Sequence, residues 1–491
     1  MMMFVAAGSL LSAQGLKVEP GTCIKVETGT TLDISVGGDL FLESDATGDA
    51  SLIDLGNVSF TGGGKAIVQR YMPGNANAWH MISAPVNAMP IAGSDWAPDT
   101  DEDLYLWYEP SPGIWVNYKN QSSGNSGDLP YFDVANGNNN FSVGQGYIVN
   151  YNTANPTNNF QSSALNTGNV NITLYKSTTK NWNWNAGWNL IGNPYPSGID
   201  WSTVTKSDIV TEVWAQVYDS NKDGGAGYEP VNGTIAPGQG FFVQAVNDEV
   251  QVALQPAHQV HASSQAFMKS SSDKLVVRLS SEANYDETRI LIHENSVPDH
   301  DFYDATKLFS YDPQMPQLYT LASNGRRLSI NSLNEITALT VIPLSIRVQG
   351  NSIMSISLTD AEGTFEGPEV ILKDMQLNIQ HNLSEMPTYN FTADAGDDPN
   401  RFVLKFGAVG VDKIQSDMEL IAWMQYNRLY ILNPGTSRTT VDLYNIHGQV
   451  ILSREIGQGL QSIPVHVVNG TYVVMLRTDQ YVATRKIVIQ Q

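Results

Sequence analysis

The sequence predicts an all-β, multidomain protein, and three observations carry that prediction. Apolar residues recur at every second position in short runs, with Gly, Asn and Pro bounding most of them, which is the pattern of hairpin strands. Only 15% of the residues are charged, against ~25% in an average soluble domain. Asn, Ser, Thr and Gly are abundant instead, a mixture suited to strands joined by polar turns. No stretch keeps the apolar period of an amphipathic helix over three turns. At 491 residues the chain is too long for a single core. The expected architecture is a series of β-sandwich modules with a small C-terminal β-sandwich.

Residues 1–14 are apolar or small as far as Gln14 and read as the remnant of a secretory signal peptide. The basic start of such a leader is missing, since the first basic residue is Lys17; a buried N-terminal strand is the alternative. Residues 15–73 form a strand-rich region. Runs at 24–27, 32–36, 39–43, 51–54 and 66–70 alternate between turn clusters such as Gly37-Gly38 and Gly62-Gly63-Gly64. That spacing suits either hairpins or the rungs of a short β-solenoid. Cys23, the single cysteine, lies in one of these runs, so no intrachain disulfide forms and a structural position is expected.

Residues 74–256 contain an internal repeat. Trp79-His80-Met81-Ile82-Ser83-Ala84-Pro85 aligns with Trp188-Asn189-Leu190-Ile191-Gly192-Asn193-Pro194. Val143-Gly144-Gln145-Gly146-Tyr147-Ile148-Val149 aligns with Pro237-Gly238-Gln239-Gly240-Phe241-Phe242-Val243. Each copy has a Trp/Tyr-bearing strand between these anchors, at 104–108 and 213–218, and the first copy carries an insertion, partly at 136–140. Two copies of one β-unit are expected to pair into one sandwich. Residues 257–272, with Ser263-Ser264 and Ser270-Ser271-Ser272, read as a linker. Residues 273–411 hold seven candidate strands, at 275–279, 289–293, 328–331, 344–348, 355–358, 370–374 and 401–406, and read as a β-sandwich.

Residues 420–491 form the last module. Tyr430 to Asn433 runs into Pro434, Thr440 to Ile446 turns through His447-Gly448-Gln449 into Val450 to Leu452, Gly470 to Leu476 follows, and Thr484 to Ile489 closes the chain. This order resembles the C-terminal sorting domain of proteins exported by the type IX secretion system of Bacteroidota. The resemblance implies an address and not an activity: export through the periplasm and across the outer membrane by the type IX machinery. It marks Asn433, Pro434, Tyr444, Gly448, Gly470, Tyr472 and Lys486 as the sorting signal. Residues 42–48 resemble the opening region of large Bacteroidota surface proteins, and 303–308 and 389–393 resemble segments found just upstream of such sorting domains.

Charge and chemistry narrow the function. With 27 basic and 49 acidic residues the net charge is −22. A surface this acidic repels phosphate backbones and anionic headgroups, so nucleic acid is not an expected partner. No further run approaches the ~18 apolar residues of a membrane span, so the chain is not expected to be integral to a membrane. Nucleophile elbows, zinc helices and phosphate loops are absent from the sequence. The acidic clusters at 99–103 and 394–398 lie in turn sequence, with nothing apolar to raise a carboxyl pKa. His80 is replaced by Asn189 in the second copy, which favours a structural imidazole.

Two candidate sites remain. Asp219, Asn221 and Asp223, with Gly224 next, match the first half of an EF-hand-type loop and are candidate calcium ligands. The twelfth position is Pro230 rather than Glu, and a plain polar hairpin is the alternative. Trp182 and Trp184 alternate, so in a strand both rings share one face; they are candidate glycan-binding residues, with Trp107, Tyr108 and Trp115 as counterparts in the first copy. Filling the core is the alternative role for these rings. The expected function is non-enzymatic binding, adhesion or structure at the cell surface, with a glycan or surface protein as partner. The alternative is a secreted glycan- or peptide-degrading hydrolase whose site is assembled from distant residues.

Overall fold

The computed structural model describes residues 2–5, 10–13, 15–35, 37–110, 113–120, 131–177, 186–220, 226–261, 273–310, 312–350, 352–407, 421–425, 428–433, 439–457, 459–468, 470–477 and 482–489. They fall into two compact units, Met1–Lys269 and Ser270–Gln491. Strands dominate both, and among the described residues the one α-helix is the short Phe132–Asn136.

The first unit opens as a three-sided parallel solenoid. Met2–Val5, Cys23–Val26 and Ser51–Asp54 stack on one face, and Leu10–Ala13, Thr31–Ile34 and Asn57–Phe60 on a second. Leu16–Val18, Leu40–Leu42 and Ala66–Tyr71 stack on the third. Each circuit of the chain therefore adds one strand per face, and Val26, Leu32, Ile34, Leu40, Leu42 and Leu52 are buried inside. Of the two pairings open in the sequence, hairpins or rungs, rungs prevail; a small antiparallel hairpin, Ser44–Asp45 with Gly48–Asp49, projects from the solenoid. The corners are tight. A Cβ on Gly56 would stand 2.5 Å from the Glu27 carbonyl oxygen, and one on Gly64 would stand 2.3 Å from that of Gly38. The segment expected as a leader supplies strands to the first circuit, because an apolar run reads alike in a leader and in a solenoid rung.

Two six-stranded modules follow, and the first of them shares the solenoid's last strand. Ala66–Tyr71 pairs antiparallel with Thr157–Ser162. Between them lies a four-stranded sheet in the order Trp79–Ile82, Tyr147–Asn150, Asp103–Tyr108, Ile114–Asn117. The second module has the same order. Val170–Leu174 pairs with Val250–Leu254, enclosing Trp188–Gly192, Gly240–Gln244, Ala215–Asp219 and Gly227–Val231. The registers agree as well. Ile82 faces Tyr147 as Ile191 faces Phe241, and Tyr105 faces Ile148 as Gln216 faces Phe242. In this register His80 corresponds to Asn189, Trp107 to Tyr218 and Glu109 to Ser220.

The expected linker at 257–272 does not begin where its composition suggests. Pro256–His258 is a 3-10 turn, and Gln259–Val260 pairs with Gly198–Asp200. The Gln259 carboxamide accepts from the Asp54 N–H and the Ser197 hydroxyl, both at 3.0 Å. These polar residues satisfy buried groups, which composition alone does not separate from a flexible tether. Residues 262–272 lie outside the described residues.

In the second unit, all seven strands expected over 273–411 form, with Ala305–Thr306, Gln317–Leu321, Ile379–Asn382 and Thr388–Ala393 in addition. They make one continuous 11-stranded sheet. It curls until Phe391, on one terminal strand, packs against Phe402 near the other end with ring centroids 4.8 Å apart. The core thus lies inside a nearly closed sheet rather than between two separate ones. The C-terminal module has two sheets, Ile421–Gln425, Arg428–Asn433 and Gly459–Pro464 against Val450–Ile456, Thr439–Asn445, Gly470–Arg477 and Val482–Ile489. Leu429, Ile431, Val441, Leu443, Val474 and Leu476 form its own core.

Candidate functional site

The site lies in the first unit, where the solenoid's projecting hairpin meets both modules. Asp49, on the hairpin, accepts from the Ser44 hydroxyl at 2.5 Å and from Arg70 Nη1 at 2.7 Å. Arg70 lies near the end of the strand shared by solenoid and first module, and its Nη2 donates to Gln239 Oε1 at 2.9 Å. Gln239 in turn donates its amide to the carbonyls of Met81 and Gly240, each at 2.9 Å. One chain of polar contacts therefore ties hairpin, first module and second module together around a cavity of about 500 Å³.

His80 and Ser220 also line the cavity. His80 is buried, and its Nδ1 lies 3.2 Å from Ser220 Oγ, which also reaches the Pro73 carbonyl at 3.3 Å. A carbonyl only accepts, so the hydroxyl proton goes to Pro73 and the imidazole Nδ1–H donates to Ser220. Burial, with the Arg70 guanidinium second, pulls the imidazole down to about 4. Met72, Met81, Val217, Tyr218 and Ile235 supply buried lining, while Asp45 and Thr47 stand on the exposed rim. Asp45 Oδ1 accepts both the hydroxyl and the N–H of Thr47, and these bonds hold its carboxyl below the usual range.

At the corresponding junction, main-chain groups satisfy the polar side chains among the described residues. Glu109, in the place of Ser220, accepts from the backbone N–H groups of Ser177 (3.3 Å) and Gly187 and from Trp107 Nε1 (3.0 Å). Asn189, in the place of His80, accepts from Tyr175 N and donates to Tyr175 O, both at 2.9 Å. Trp107, Trp115 and Trp188 meet Phe242 edge to face there, with centroids 5.9 to 6.3 Å apart. Trp107 also donates to the Trp188 carbonyl at 2.7 Å. These contacts join the two sheets, and Trp107 and Trp115 are half-buried.

The residues anticipated from sequence fare unequally. Asp219 ends the Ala215–Asp219 strand and lines the cavity, while Asn221 and Asp223 lie outside the described residues. Among the described residues no group of three or more His, Cys, Asp or Glu side chains has the geometry to hold a metal ion. Trp182 and Trp184 also lie outside the described residues. Glu102 accepts from Asp99 N at 3.2 Å within the turn, and Asp103, at the start of its strand, accepts from Asn117 Nδ2 at 2.9 Å on the paired strand. The sequence did not single out the His80–Ser220 junction. Its signal was the exchange of Glu109 for Ser220, visible only once strand register is known.

The sorting-signal positions sit in the C-terminal module. Asn433 ends a strand opposite Gly459, and Pro434 lies outside the described residues. Tyr444 faces Val473 and Gly448 turns with φ +76°. Gly470 opens its strand, buried Tyr472 donates to the Val468 carbonyl at 2.9 Å, and exposed Lys486 faces Val473.

Two family models match the chain. The family described as Domain of unknown function (DUF8693) matches residues 4–218 and 208–406. The family described as Secretion system C-terminal sorting domain matches residues 426–490. The Minor fimbrium subunit Mfa5 of Porphyromonas gingivalis is 22% identical over 177 residues, covering 36% of this chain and 14% of that protein's length. Dimeric latent PorU from Porphyromonas gingivalis is similar over 49% of this chain and 31% of its own, at 13% identity and a TM-score of 0.16. The BSP domain of a biofilm associated protein is similar over 87% of this chain and 96% of its own, at 8% identity and a TM-score of 0.20.

Proposed function

The chain belongs to the family described as Domain of unknown function (DUF8693), and we propose that it is a binding protein of the cell surface that holds a ligand without converting it. Its C-terminal sorting domain directs it through the type IX machinery across the outer membrane, to the cell surface or the extracellular space. The observation that carries the binding reading is the His80–Ser220 contact. A nucleophilic serine needs a base that takes its proton, and a useful base has a pKa near the working pH. Here the hydroxyl donates to the Pro73 carbonyl, and His80, held near 4, is a weak base.

The finer reading is adhesion through an extracellular glycan or surface protein, with Trp182 and Trp184 as one candidate contact and calcium at Asp219, Asn221 and Asp223 as a staple of that loop. The fimbrial name of a similar protein supports a surface role. We also read the two modules as copies of one ancestral unit, since strand order and register match. The test is a pull-down of full-length protein with surface polysaccharides, in calcium and again in chelator, followed by analysis of the ligand. Capture of intact polysaccharide is the expected result. Shortened or newly reducing chains would establish the hydrolase instead.

A further inference from the structure

We propose that the C-terminal module is recognised through its outer hairpin, Thr439–Asn445 with Val450–Ile456, and that the occupant is an extended segment of the type IX machinery, apolar and acidic, which adds to the open edge as a further strand. This rests on the export role of that module and gives the address a place and its receptor a chemistry.

The first ground is geometry. Val450–Ile456 is the outer strand of its four-stranded sheet, and among the described residues it pairs only with Thr439–Asn445. Its outward N–H and C=O groups leave a ladder that a second chain can complete. Ile446, Val450 and Ile451 are 72%, 53% and 43% exposed, three of the twelve exposed large apolar side chains among the described residues, all within six positions. Ile451 is the extra residue of a bulge beside Tyr444, which leaves it and Val450 exposed in succession. The tip is held in advance. Asn445 Oδ1 accepts from the N–H groups of His447 and Gln449, both at 3.0 Å, and Asn445 Nδ2 donates to Gln449 Oε1 at 2.8 Å. A pre-ordered apolar tip beside an open edge loses little entropy on docking.

The second ground is charge. Residues 420–491 hold six basic and three acidic residues, a net +3, in a chain whose net charge is −22. Of those acids, Asp442 is buried and already accepts from Arg477 and from the Ser453 hydroxyl. Arg454 stands exposed on the outer strand, and among the described residues no carboxylate pairs with it. An acidic segment is therefore drawn to this edge and repelled by the rest of the chain, which separates address from cargo. Charge on the strand is confined to Arg454 and Glu455, so Val450, Ile451 and Leu452 lack the charge that guards natural edges against pairing.

The test expresses the full chain in cells that carry the type IX machinery and reads the surface fraction by protease treatment of intact cells. Melting temperatures are measured on the purified variants. Ile446→Asp, Ile451→Asp and Arg454→Glu change exposed side chains, so each is expected to melt as the parent does while its surface fraction falls at least about tenfold. Arg454→Lys keeps the charge and is expected to reach the surface normally. So is Leu339→Asp, which alters an exposed apolar residue outside the C-terminal module. Should Ile446→Asp or Ile451→Asp fail to fold, the Arg454→Glu and Arg454→Lys pair decides the matter. Normal export of all three hairpin variants, with the chain lacking residues 420–491 trapped in the periplasm, overturns the hairpin site and leaves the sorting role intact. Equal loss in Leu339→Asp overturns the hairpin site as well. A parent that sediments as a dimer, with Ile451→Asp monomeric and still exported, assigns the edge to a second copy and overturns the proposed occupant. Export of the chain lacking residues 420–491 overturns both the site and the sorting role.

Discussion

Gln145 and Gln239 each send their side-chain amide across the boundary between the two modules, to the first sheet strand of the other one. Gln145 Nε2 donates to the Leu190 carbonyl at 2.9 Å, and Gln239 Nε2 donates to the Met81 carbonyl at 2.9 Å. Each also closes on the carbonyl of its following glycine, Gly146 at 2.8 Å and Gly240 at 2.9 Å. The two Gly-Gln-Gly turns thus interlock the modules reciprocally. An asymmetry is that Gln239 Oε1 also accepts from Arg70, which recruits that turn to the cavity.

Interlocking requires close approach of main chains, so glycines at the boundary should resist replacement. A Cβ on Gly192 would lie 2.1 Å from Ser83 Cβ, and one on Gly146 would lie 2.4 Å from the Ile191 carbonyl oxygen. Neither neighbour is the far end of a flexible side chain. Gly192→Ala is expected to destabilise the first unit by about 2–4 kcal/mol, by overpacking between strands. Urea unfolding followed by tryptophan fluorescence measures it; an unchanged midpoint would mean that the modules separate freely.

His80 should make stability depend on pH. Its ordinary pKa of 6.5 falls to about 4 in the folded chain, through burial first and Arg70 second. The unfolded chain takes up the proton near 6.5 and the folded chain only near 4, so the unfolded state binds more protons between those values. The contribution is complete above about pH 6.5 and is lost as pH falls toward 4, by up to about 3 kcal/mol. His80→Asn, which installs the residue of the corresponding position Asn189, is expected to flatten melting temperature against pH in that window. A variant whose acid limb matches the parent's would refute the assignment.

What was legible in the sequence follows from the range of the forces involved. Alternation and turn chemistry are local, so all seven strands expected over 273–411 are present. The Gly-Gln-Gly anchors align because both turns make the same close approach. The parallel stacking of the solenoid was not decided, since a short strand reads alike whether its partner is a hairpin neighbour or a strand one circuit away. Gln317–Leu321, buried at every position, has no alternation to reveal it. The cavity was illegible because it depends on two residues, His80 and Ser220, that are 140 positions apart and meet only through register.

A buried ion pair helps to close the curled sheet. Asp374 and Arg401 are both buried, with Nη2 to Oδ2 at 3.1 Å. Asp374 also accepts from the Tyr389 hydroxyl at 3.1 Å and from Gln376 N at 2.9 Å, and Arg401 Nη1 donates to the Thr392 carbonyl at 2.7 Å. Burial, then the neighbouring carboxylate, push the Tyr389 phenol up to about 12, so it remains a donor. Asp374→Ala leaves a buried guanidinium without its carboxylate and is expected to cost about 3–5 kcal/mol. Replacing both residues by apolar ones of similar size should recover much of that loss. Calorimetry on the single and double variants checks this, and a double variant no better than the single one would show that the pair, beyond its charge balance, holds the sheet ends together.

The C-terminal module should be separable from the rest of the chain. Leu429, Ile431, Val441, Leu443 and Val474 pack with one another in a core made of that module's own strands. A module with its own core can be deleted without opening another module's interior. Deleting residues 420–491 is therefore expected to leave the rest of the chain folded and to remove only the address. Because the sorting domain directs passage across the outer membrane, the shortened protein should accumulate in the periplasm. Cell fractionation and protease treatment of intact cells measure this: protection from added protease, with release on opening the outer membrane, is the expected result. Protein without residues 420–491 that is still cleaved on intact cells would show that another part of the chain carries the export signal.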